Sequence, residues 1–191
     1  MKWQRVAGTI LFCSIFAVSG FSEEYPLQYF LEKSSSKTYE LSKKEKAELL
    51  NQIERVLEEA KQVQLRLSRA IQGGDPSIKY QEGKLWMSHL DEDQESIDSG
   101  TQQLKALREK TTNLVAAIRL YKSLKDLSFH FNSYNNIPFF SAYIGDAAPE
   151  LALWADPVFY KLYLLPLAQA KSLETKTPTK DRKTDEKGKK Q

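Results

Sequence analysis

Between Ser42 and Gly74 the apolar residues fall in alternating steps of four and three: Leu49, Ile53, Val56, Ala60, Val63, Leu67 and Ala70. Leu50, Leu57 and Ile71 widen the stripe, and the positions between are Glu, Lys, Gln and Arg, all good helix formers. Ser42 and Glu45 have capping-box spacing, and Gly73–Gly74 supplies the stop. The pattern predicts one amphipathic helix over 43–72, roughly 45 Å long, with a period suited to coiled-coil-like packing.

A second stripe starts at Thr101. Leu104, Leu107, Thr111, Leu114, Ile118 and Tyr121 keep the same rhythm, which then shifts phase to Leu120, Leu124, Leu127 and Phe131. A long helix over 101–132 is expected, ended by "NSYNN" and Pro138. Asp75–Pro76 caps and opens a weaker arm over 77–95. Between arm and helix, "DEDQESIDSG" (91–100) reads as an acidic, solvated bend. Beyond Pro138, Gly145–Asp146 marks a turn, Pro149 opens a short helix over 149–155, and Asp156–Pro157 opens another that Pro166 kinks. "PLQYFLEK" places Leu27, Phe30 and Leu31 on one face that can dock on the rest. The expected fold is therefore all-α: a long antiparallel helical hairpin with shorter aromatic-rich C-terminal helices packed across one end.

The two ends of the chain differ from this body. "MKWQRVAGTILFCSIFAVSGFS" has Lys2 and Arg5, an apolar run from Val6 to Val18, then Ser19, Gly20 and Ser22. That is the order of a secretory signal peptide, with cleavage expected near Ser22 and Gly20 as the second position. An uncleaved anchor is the alternative. The rest divides into one helical domain, 23–172, and a tail, 173–191, expected to be disordered. Cys13 lies within the signal, so the processed chain has no thiol for a disulfide, metal or nucleophile. Lys171–Gln191 carries eight bases against four acids, while the body is slightly acidic. A basic folded face for nucleic acid is missing, and the tail suits at most weak contact with an anionic surface.

Catalytic motifs are sparse. His89 and His130 lie in different segments, without a second His at metal spacing. No Glu-x-x-His, Gly-rich phosphate loop or Gly-x-Ser-x-Gly occurs, and the acidic stretch lacks the central Gly of a calcium loop. His89 reads as an exposed helix residue, and His130, between two phenylalanines, as a core or boundary imidazole. No metal, cofactor or catalytic residue is assigned. Ten aromatic rings fall between Phe129 and Tyr163, more than half of those after the signal. Their first reading is core. As a ligand or partner surface, Phe139, Phe140, Tyr143, Trp154, Phe159, Tyr160 and Tyr163 are the candidates. The sequence is thus read as an exported, non-catalytic interaction or scaffold protein of the bacterial envelope, periplasmic or surface-associated. Another envelope protein or a second copy is the expected partner, and binding of an apolar ligand or lipid is the alternative.

Overall fold

The computed structural model describes residues 25–36, 40–73 and 80–176. The N-terminal segment expected to be a signal and most of the basic tail lie outside the described residues. The fold is all-α. Its elements are α1 (Leu27–Ser35), α2 (Lys43–Gln72), α3 (Tyr80–Glu109), α4 (Leu114–Asn135), α5 (Pro138–Ile144), α6 (Ala147–Leu153), a π-helix (Trp154–Leu164) and α7 (Leu165–Lys176).

α2 begins where its capping box places it. The Ser42 side chain accepts from the Glu45 N–H, and the Glu45 carboxylate accepts from the Ser42 N–H. Its partner is not the expected 101–132 helix. α3 runs unbroken through the acidic stretch and ends at Glu109, and the chain breaks instead at Lys110–Asn113, where Asn113 caps α4 by accepting from Ala116 N–H. The bend expected at 91–100 is helix because its buried stripe is continuous: Leu90, Asp93, Ile97, Gly100, Leu104 and Leu107 recur in steps of three and four. Two of those positions hold a carboxylate and a glycine, which hide the stripe from a reading of hydrophobicity.

The helices alternate in direction. Gln64 donates to the Leu90 carbonyl, Leu57 faces Gly100, and Arg108 reaches back to Asn51 and Glu54. Positions fall along α2 as they rise along α3. α4 reverses again, bringing His130 and Tyr134 to Asp93 and Ser123 to Gly100.

Contrary to expectation, the C-terminal helices do not cross one end. They run back along the length of α4. Phe140 meets Tyr134, Asp156 accepts from Tyr121 (2.7 Å), and Tyr163 donates to the Thr111 carbonyl (2.9 Å). The reason is area: α4 buries one face on α3 and needs a second cover along its whole length, which α6 and the π-helix provide. The result is a four-rod bundle whose fourth rod is segmented. Gly145, at a φ of +52°, makes the bend between α5 and α6.

No break falls at Asp156–Pro157. The chain continues from α6 into eleven residues of π-helix, with Pro157 inside it and Pro166 in the first turn of α7. A proline ring in an α-helix collides with the carbonyl four residues back, and the wider turn relieves that collision. Buried pairs recur there every four residues: Trp154–Ala155, Val158–Phe159 and Leu162–Tyr163. That step exceeds the 3.6 of an α-helix, and the wider turn keeps the pairs on one face. α1 closes this end, with Phe30 against Trp154 and both Tyr29 and Lys33 hydrogen-bonded to Glu45.

Candidate functional site

Opposed directions bring α3 and α4 together as a seam. On α3, Trp86, His89 and Asp93 lie on one face. On α4, His130 and Tyr134 are one turn apart, so both reach the same partner. That partner is Asp93, fully buried, with Oδ1 2.7 Å from His130 Nδ1 and Oδ2 accepting from the Tyr134 hydroxyl at 2.6 Å. Burial pushes the Asp93 carboxyl above its ordinary range, against the lowering effect of Tyr134 and His130. Burial and the neighbouring carboxylate push the Tyr134 hydroxyl far up, so it stays a donor. Trp86 covers the cluster, with its ring edge-on to Tyr134 and Phe140 and tilted against His89.

His130 is also at the surface. With Nδ1 on Asp93, its open nitrogen is Nε2, and the imidazole lines a groove of about 450 Å³ between the two helices. Glu92 and Glu95 stand with His130 at one end, and Arg119 with Lys122 at the other. Ser96, Ser99 and Ser123 lie between them. Lys122 is paired with Asp126 on the same helix. An imidazole oriented by a buried carboxylate is the arrangement of a general base. None of the groove's serines hydrogen-bonds it, however, so no nucleophile–base pair is formed. No group of three His, Cys, Asp or Glu is placed to hold a metal ion among the described residues.

The seven aromatic candidates are not brought together. Phe140 is buried between Trp86 and Tyr134, with Phe139 and Tyr143 half-buried beside it. Trp154 is buried against Phe30, and its Nε1–H donates to Glu150. Phe159 and Tyr163 stack at 5.2 Å, and Tyr163 also lines a groove of about 380 Å³ with Leu41 and Pro166. Tyr160 lies on Tyr121 at the surface. His89, expected to be exposed, is partly so and stands 3.7 Å from Glu92. Sequence reasoning missed the pairing of His130 with Asp93. The available signal was phase, since Asp93 lies three residues after Leu90 and four before Ile97.

α4 carries one further feature. Val115, Ile118 and Phe129 are 58%, 51% and 71% exposed. With Lys122 they fall within an arc of about 60° at 3.6 residues per turn, opposite the core-facing Leu120, Leu124, Leu127 and Phe131.

Compared with known proteins, the chain matches no family model, no curated protein and no solved structure.

Proposed function

We propose that this is an exported, non-catalytic helical interaction protein of the bacterial cell envelope, which presents the outward face of α4 to a protein partner or to a second copy of itself. One observation carries the reading: three large apolar side chains share the face of α4 that points away from the core. Scattered apolar residues are normal on a surface, but a helix apolar on both sides has a second neighbour to cover. The signal-like N-terminus supports export, and the absence of a partnered nucleophile beside His130 supports a binding role over a catalytic one. The aromatic rings that an apolar ligand would need are engaged with Phe30, Trp86, Tyr121 and Tyr134.

Photo-crosslinking in an exporting bacterial host tests this. A benzophenone amino acid at position 129 or 118 should give an adduct of one defined mass, and the same probe at Gln62 on α2 should not. Phe129→Lys should abolish the adduct captured through position 118. Equal labelling at all three positions, or none at 118 and 129, overturns the reading. Native mass spectrometry then separates the partners, since a dimer that Phe129→Lys returns to monomer identifies a second copy.

A further inference from the structure

The polar groove on the α3–α4 seam presents a row of unused hydrogen-bonding groups. Four helical serines of this protein, Ser34, Ser35, Ser133 and Ser141, donate to a carbonyl three or four residues back, while Ser68, Ser88 and Ser128 do not. Ser96, Ser99 and Ser123 in the groove make no such bond. Ser123 is the telling case. It is only 4% exposed, lines the groove, and its hydroxyl has no partner. The oxygen itself is not enclosed but opens on the groove, where a ligand can reach it. Among the described residues, the Arg119 guanidinium and His130 Nε2 likewise have no partner at the two ends of the same groove.

The ends differ in chemistry. Glu92 and Glu95 are acceptors. His130 joins them, because an imidazole that donates through Nδ1 to Asp93 offers a lone pair at Nε2. Arg119 is a fork of donors that suits a carboxylate. Eleven residues of helix separate His130 from Arg119, about 16 Å along the axis. Glu95, nearer to Arg119 along the antiparallel α3, shortens the span between the charged ends to roughly 12 Å, about three to four extended residues. An amino acid is too short to bridge that gap.

We infer that the α3–α4 groove binds a short zwitterionic peptide, with its ammonium at Glu92, Glu95 and His130, its carboxylate at Arg119, and its backbone on Ser123 and the neighbouring serine hydroxyls. The inference does not depend on the apolar face of α4 having a partner.

The test is a titration of the ¹⁵N-labelled full chain with trialanine, followed by amide chemical shifts. Saturable shifts confined to residues 92–99 and 119–130 are expected. Trialanine acetylated at its amino end or amidated at its carboxyl end should bind about tenfold more weakly, the factor that 1.4 kcal/mol represents. Arg119→Gln should match the loss from amidation and be indifferent to it. Ser123→Ala should weaken binding about threefold, the low end for one hydrogen bond, with an unchanged thermal midpoint. Shifts that never saturate, that map elsewhere, or that the doubly capped peptide reproduces would overturn the assignment.

Discussion

His130 Nδ1 and Asp93 Oδ1 lie 2.7 Å apart across two helices and thirty-seven residues of chain. Their contact fixes how α3 and α4 are registered, because a slip of either helix by one turn strands a buried carboxylate. The cost of stranding one member of such a network exceeds the net value of the network itself. Asp93→Leu should therefore destabilise the fold by about 2–4 kcal/mol in urea denaturation, since the Tyr134 hydroxyl loses its acceptor. Adding Tyr134→Phe should recover more than half of that loss. Simple additivity of the two substitutions would show that the hydroxyl finds another partner.

Acid should act on two carboxyl groups with opposite signs. Burial opposes ionisation of Glu45, but hydrogen bonds from Lys33, Ser42 and Tyr29 prevail and hold it near 2, against 4.5 in a free side chain. Its contribution is complete above pH 4.5 and is lost as pH falls from there to about 2. Asp93 is shifted upward, so it binds its proton more readily when folded and gives stability back as pH falls. Glu45→Gln should flatten the acid limb of the stability curve and Asp93→Asn should steepen it. Equilibrium denaturation at stepped pH reads both slopes.

At Gly100, α3 packs closely against both α2 and α4. A Cβ there would stand 3.0 Å from Leu57 Cδ1 and 3.4 Å from Ser123 Cβ. Alanine gains about 1 kcal/mol of helix propensity over glycine, and overpacking costs about 1–3 kcal/mol. Gly100→Ala should therefore destabilise by about 1 kcal/mol, and Gly100→Leu should prevent the native packing. A rise in thermal midpoint for the alanine variant would mean that Leu57 yields freely.

The Tyr163 hydroxyl ties the π-helix to the α3–α4 connection through the Thr111 carbonyl. Burial raises this hydroxyl to about 12, so it donates at any ordinary pH. Tyr163→Phe should cost about 1 kcal/mol, the net value of one hydrogen bond. Hydrogen exchange should show the loss at residues 111–113 rather than uniformly.

What the sequence made legible depended on whether a residue's partners lay within a turn or two of it. α2 could be bounded because its cap, stripe and terminal glycine are all local. α3 could not, because Asp93 and Gly100 occupy core positions for reasons that lie on other helices: a histidine and a tyrosine on α4 for the first, Leu57 for the second. The same distance hid the seam. His130 looked like a residue between two phenylalanines, and Asp93 like one acid among several. The Asp156–Pro157 signal failed in the other direction, since a local rule for starting helices was overridden by the burial of Trp154 and Phe159.

The segmented fourth rod also sets the order in which the fold can close. α2, α3 and α4 follow one another and can associate early, but α4 keeps half of its core face bare until residues 147–163 return along it. Phe159 and Trp154, among the most buried side chains, lie in the last quarter of the chain. A chain whose synthesis has not passed residue 163 thus lacks the means to finish this core. Such lateness keeps the polypeptide pliable until those residues arrive and commits it to its final shape only then.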